Sequence, residues 1–223
     1  MCNSDLAVFD AIYRDDALLL GRLLAGGADP DACCGDEGSW DYRLALHTAA
    51  AGGQARCVRM LLAHGADPNA HAGCAGWGRA LHAAAYAGST PCVFALLSRG
   101  ASWEAIDGDG ATPLHAAATG GSPMCCRILI GFGASVHARD WNGATPLHRA
   151  STRCAAEALL AAGASIRSRT TAMWLPMHSA IEAGCMDTAE HLAAIHIQAA
   201  WRTYRQRARA ARRIQGVPGT APA

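Results

Sequence analysis

The sequence predicts an all-α fold, a solenoid of about six helix-turn-helix repeats with a C-terminal helix extension. Three observations carry this. The run Ala111-Thr112-Pro113-Leu114-His115-Ala116 returns as Ala144-Thr145-Pro146-Leu147-His148-Arg149, and in weaker form around His47, His82 and His178. These five histidines are 35, 33, 33 and 30 residues apart. A fixed period of this length marks a repeat array, in which each unit buries its apolar face against its neighbours. Finally, Gly65, Gly100, Gly133 and Gly163 each close a leucine-rich stretch, as a left-handed helix stop does.

Composition narrows the function classes. A chain of 223 residues that is 51% hydrophobic has ample apolar area to bury. A net charge of +1 singles out no class of partner, although the last stretch is basic. No apolar run approaches the roughly 18 residues a membrane span needs, so none is predicted. The start, Met1-Cys2-Asn3-Ser4-Asp5, does not lead into an apolar stretch, which predicts no signal peptide. Ten cysteines include no C-x-x-C pair. There is no phosphate-binding glycine loop, G-x-S-x-G elbow or H-E-x-x-H, and the reading is of a chain that is not an enzyme and holds no cofactor or metal. Asp107-Gly108-Asp109-Gly110 lacks the further oxygen ligands and closing Glu of a calcium loop.

Residues 4–36 read as a cap repeat, with Phe9 where the histidine would stand and Gly27 as its stop. Full repeats start near 43, 78, 111, 144 and 174. In each, a first helix opens at the T-P-L-H run, where proline's missing N–H costs nothing. Pro91 and Pro123 sit at the tolerated start of second helices. The distance from histidine to stop glycine is 18 in three successive repeats, then 15 from His148 to Gly163. Removing three residues takes out most of a helical turn, so the fifth repeat is predicted to be locally short. Gly27 to His47 and Gly65 to His82 are 20 and 17 residues, against 15 elsewhere, which puts the insertions in the connecting loops.

The T-P-L-H-x-A run at this period resembles the ankyrin-repeat family over residues 1–195. The resemblance implies that the repeat histidines hydrogen-bond neighbouring loops rather than catalyse. It also implies that Cys57, Cys92 and Cys125, each ten residues after a histidine, are small packing residues of second helices. The loops would then be projecting fingers that bind an unidentified partner protein. They carry Trp40, Tyr42, Arg43, Trp77, Arg79, Asp109, Arg139 and Trp141, rich in the types that dominate interface hot spots. Packing within the repeat is the alternative use for the tryptophans, and Trp103, in register with Val136 and Ile166, is read as packing.

Eighteen residues after His178, where a stop glycine is due, stands His196. Good helix formers fill the space beyond, so the last second helix is predicted to run on from about 187 to 213. Within it, Ile197-Gln198-Ala199-Ala200-Trp201-Arg202-Thr203-Tyr204-Arg205-Gln206-Arg207 resembles the IQ motif, with Thr203 replacing the usual glycine. The resemblance implies a binding site for calmodulin or a related EF-hand protein over 196–215, using Ile197, Gln198, Trp201, Arg202, Tyr204 and Arg207. Ile197, Trp201, Tyr204, Ala208 and Ala211 form one stripe at helical spacing, and no acidic residue lies between Ala193 and Ala223. Such a helix suits an apolar groove in an acidic partner. Its charge alone would equally suit a membrane surface or a nucleic-acid backbone, neither of which needs the Ile-Gln pair. Residues 216–223 read as a disordered tail. The whole reads as a cytoplasmic adaptor in a reducing compartment, binding no nucleic acid. The alternative is the substrate-recognition subunit of a ubiquitin ligase, as in ankyrin proteins ending in a SOCS box; the arginine-rich tail argues against it.

Overall fold

The computed structural model describes residues 3–34, 43–71 and 78–214, with side chains described from 5 through 206 within those ranges. The first repeat pairs α1 (Asn3–Tyr13) with α2 (Ala17–Ala25). The next three pair α3 (Ala45–Ala51) with α4 (Ala55–Ala63), α5 (Ala80–Tyr86) with α6 (Thr90–Ser98), and α7 (Pro113–Thr119) with α8 (Pro123–Gly131). In the fifth, a 3-10 turn (Pro146–Arg149) stands before α9 (Arg153–Ala161); in the sixth, α10 (Pro176–Glu182) precedes α11 (Met186–Ile214). A short antiparallel hairpin, β1 (Cys33–Cys34) with β2 (Arg43–Leu44), flanks the first insertion.

The uniformity of repeats two to four follows from their sequence. Each has a seven-residue first helix and a nine-residue second helix, so the insertions lie outside the helices. The stop glycines take the left-handed conformation, with φ of 97° at Gly65 and 106° at Gly133. Around Gly133, the amide of Ala134 returns to the Leu129 carbonyl at 3.0 Å, which satisfies an orphaned end of α8. First helices stack on first helices and second on second, and one continuous core runs from Val8 to Leu192 through Leu46, Leu81, Leu114, Leu147 and Leu159.

The shortening of the fifth repeat is taken entirely from its first helix. Only four residues of 3-10 helix remain, and Ala150 turns extended where the other repeats continue for another turn and a glycine bend. Ser151 and Thr152 instead lie against Gly121, where an added Cβ would meet the Thr152 methyl at 2.6 Å. Ser151 donates its backbone N–H to the Ala118 carbonyl at 3.1 Å.

α11 is 29 residues long and crosses residue 195 without a break. The equivalent helices of repeats two to four stop sixteen residues after their histidine, which corresponds to Ala194. Twenty further residues, about 30 Å of helix at 1.5 Å per residue, therefore project beyond the stack. Among the described residues no helix is long and apolar enough to cross a membrane.

Candidate functional site

The repeat histidines are structural. His82, His115 and His148 each accept a backbone N–H at Nδ1, from Arg79, Thr112 and Thr145, at 3.1–3.2 Å. An Nδ1 that accepts has no proton, so the proton sits on Nε2. That nitrogen donates across to the next repeat, to the carbonyls of Ala111, Ala144 and Trp174, each at 3.1 Å. His47 reaches the Gly78 carbonyl through Nε2 at 3.1 Å, while its buried Nδ1 has no partner. Burial pulls all four below the ordinary value, His47 to about 4, so they stay neutral. One ring thus cross-links two repeats.

Cys154 on α9 is exposed, but the other second-helix cysteines are packing residues. Cys57, Cys92, Cys125 and Cys126 are fully buried. Burial pushes the Cys57 thiol up to about 11 and Cys126 to about 12, which withholds the reactive thiolate. Cys33 and Cys34 lie half-exposed on β1. Among the described residues no group of three or more His, Cys, Asp or Glu is placed to hold a metal ion.

The fingers divide between structure and surface. Trp40, Tyr42 and Trp77 lie outside the described residues. Arg43 is exposed on β2, and Arg79 is half-buried at the start of α5. Arg139 bridges two fingers, donating from Nη1 to the carbonyls of Gly143 and Arg169, both at 2.8 Å. Trp141 lies flat over the preceding finger, where a Cβ on Gly110 would come within 2.7 Å of its ring. Its Nε1 donates to the Gly108 carbonyl at 3.2 Å, yet 68% of the residue remains exposed. Trp141 is therefore held rigid by one face and presents the other. Asp109 is exposed at the same finger tip. Trp103 packs on the core, its ring centroid 6.5 Å from that of Phe132.

Between the fingers and the first helices runs a groove of about 550 Å³, lined by Tyr86, Asp107, Thr119, Arg149 and the alanines of α3, α5 and α7. Sequence reasoning missed two of its features. Tyr86 is 61% exposed, although it lies in a run of buried alanines. Arg149 stands where Ala116 stands in the repeat before, and its Nε donates to Oδ2 of the fully buried Asp140 at 3.0 Å. The other oxygen, Oδ1, accepts the Asn142 and Ala144 amides at 2.9 and 2.8 Å. Of Asp107 and Asp140, the described finger-turn aspartates, Asp140 in the shortened repeat is the one roofed by an arginine. The signal for it was the coincidence of Arg149 with the missing turn. The sixth finger also went unnoticed, with Met173 62% and Trp174 40% exposed.

On α11 the last fully buried residue is Leu192, and Ile195, His196, Ala199 and Thr203 are half-buried. Beyond it Ile197, Trp201 and Tyr204 are 59%, 58% and 66% exposed, and Gln198 and Arg202 are exposed beside them. The rings of Trp201 and Tyr204 meet edge to face at 5.9 Å, and the Arg205 guanidinium lies 5.8 Å from the Trp201 centroid. The side chain of Arg207 lies outside the described residues.

Similarity to known proteins agrees with this architecture. A family model described as ankyrin repeats (3 copies) matches residues 8–107 and 81–170. A mouse 2-5A-dependent ribonuclease is 36% identical over 67 residues, 30% of this chain and 9% of that protein, within its ankyrin part. A rice potassium channel, AKT3, is 38% identical over 60 residues, 27% of this chain and 6% of the channel. The chain spans less than a tenth of the length of these curated relatives. With the family model covering well over half of the residues, and with stacked helix pairs cross-linked by T-P-L-H histidines, the chain belongs to the ankyrin-repeat family, a generally non-catalytic fold of protein–protein interaction.

Proposed function

We propose that the protein is an adaptor with two binding surfaces: the finger and groove face for one partner protein, and the projecting half of α11 for calmodulin or a related EF-hand protein. The observation that carries the second is a helix that outruns its sisters by twenty residues with Ile197, Trp201 and Tyr204 exposed on one face. A soluble helix that shows so much apolar surface, with arginines flanking it, suits the apolar groove of an acidic partner. In this reading Ile197 fills one lobe's groove, the Gln198 amide bonds to lobe backbone, and Arg202 and Arg207 pair with carboxylates. Residues 1–195 act as the ankyrin unit and 196–215 as the calmodulin-binding helix. The setting this implies is the reducing cytoplasm, where calmodulin resides and where cysteine thiols stay free. On the ankyrin face the half-fixed Trp141 ring and the Tyr86–Arg149 groove are the anchors.

Capture on immobilised calmodulin tests the helix, with and without calcium. Wild type is expected to be retained and Ile197→Ala/Gln198→Ala to flow through; equal retention of both removes the assignment.

A further inference from the structure

We infer that α11 is also the seam of a homodimer, in which two copies pack antiparallel and each projecting half covers the open end of the other's solenoid. The inference does not depend on the calmodulin reading.

The open end is unfinished. The outer face of a terminal repeat is normally polar, because it meets water. Here Ile181 occupies the register of Ala118, which is fully buried under the next repeat, and is 55% exposed. His178, the counterpart of the buried His115, is exposed as well. Met186, at the start of α11, is 54% exposed.

The stripe on α11 continues this face. Met186, Ala193, Ile197, Trp201 and Tyr204 are spaced by seven, four, four and three residues, so they fall on one side of the helix. The same surface therefore runs from the sixth repeat, where a seventh second helix would lie, out along the projection. A second α11 fits that vacancy.

Charge and size set the direction. Asp187 and Glu190 are the last acidic residues in the chain, and both are exposed on the part of α11 that belongs to the stack. Arg202 and Arg205 are exposed on the projecting part. A parallel pair sets like charge beside like; an antiparallel pair sets acid beside base. With the twofold between Ile197 and Gln198, Glu190 lies across from Arg205. The same axis puts Ala194 across from Trp201, with Ala193 a neighbour, so the Trp201 ring of each copy meets small alanines of the other. Such a twofold contact is self-complementary and closes at two copies. Four large side chains from each copy, Met186, Ile197, Trp201 and Tyr204, enter the seam. Because calmodulin would grip the same stripe, a dimer and a calmodulin complex exclude each other.

Sedimentation equilibrium of the full chain alone tests this across the micromolar range. Wild type is expected to approach twice its chain mass. Trp201→Glu puts two charges into the seam and is expected to weaken association about 30-fold or more, the loss of a hot-spot residue. Glu190→Arg and Arg205→Glu should each weaken self-association and, mixed in equal amounts, recover it, because the mixed pair restores both acid–base contacts. These side chains are exposed, so circular dichroism and melting of the variants should match wild type. A single-chain mass for wild type throughout overturns the inference. So does a dimer indifferent to Trp201→Glu, or a mixture that associates no better than its components. Calmodulin capture is measured separately, so the failure of either proposal leaves the other standing or falling by itself.

Discussion

The third and fourth repeats and the fifth and sixth are built from the same motif and differ in how completely they obey it. At the leucine position, Leu114 and Leu147 are buried, whereas the sixth repeat has Met177, which is half-buried. At the finger turn, Gly110 and Gly143 take φ near 70°, whereas Met173 is forced to 65° with a full side chain. At the finger aspartate, Asp107 is half-buried and Asp140 is sealed beneath Arg149. Regular repeats put their free energy into stacking. The sixth ends the stack with Ile181 and Met186 exposed, and it is there that α11 leaves it. In a nearest-neighbour solenoid such weakness stays local, so binding surface can be built at one end without loosening the middle.

Substitutions at matched positions sharpen this contrast. The largest effect is expected at Asp140→Ala, which strands the Arg149 guanidinium, the buried Ala144 amide and the half-buried Asn142 amide and should cost about 3–5 kcal/mol in urea melts. Asp107→Ala, at the wetter turn, should cost about 1–2 kcal/mol. Equal losses would break the distinction between the two fingers.

Next comes Leu114→Ala, at about 3 kcal/mol, against Met177→Ala at about 1 kcal/mol, because a half-buried side chain leaves a smaller cavity. Thermal melts of both read the difference.

Acid should act chiefly on the regular repeats. The buried histidines bind protons less readily folded than unfolded, so the unfolded chain takes up more protons as the pH falls. Stability is therefore full above the ordinary value of 6.5 and declines as the pH falls through it, for His47 down to about 4. The loss for His47 alone is on the order of 3 kcal/mol. Urea midpoints that stay flat between those pH values would contradict the cross-linking role.

The smallest change expected is Met173→Gly, a gain of about 0.5 kcal/mol, as relief of left-handed strain slightly exceeds the added freedom of the unfolded chain. Gly143→Ala, at the same turn one repeat earlier, should instead cost about 1 kcal/mol.

Most of the fold was legible because a repeat array is read by counting. The distance from histidine to stop glycine located the helices, placed the insertions outside them and marked the fifth repeat as short. The absent glycine after His178 announced the long helix, expected over 187–213 and found as Met186–Ile214. The finger residues were less legible. Trp141 and Arg139 carry the chemistry of a binding surface, and their contacts with Gly108, Gly143 and Arg169 lie 33, 4 and 30 residues away in sequence. Spacing within one repeat says nothing of what the neighbouring finger offers.

The sequence alone determined the scaffold: the period, the left-handed stops and the stripe on the last helix. These depend on local geometry repeated at a fixed interval. Only the tertiary structure decided which atoms face water. It placed Arg149 over Asp140, laid Trp141 across Gly110, and left Ile181, Met186, Ile197 and Trp201 uncovered. Burial is a property of what lies next door, and in a solenoid the neighbour of the last repeat is not written in that repeat.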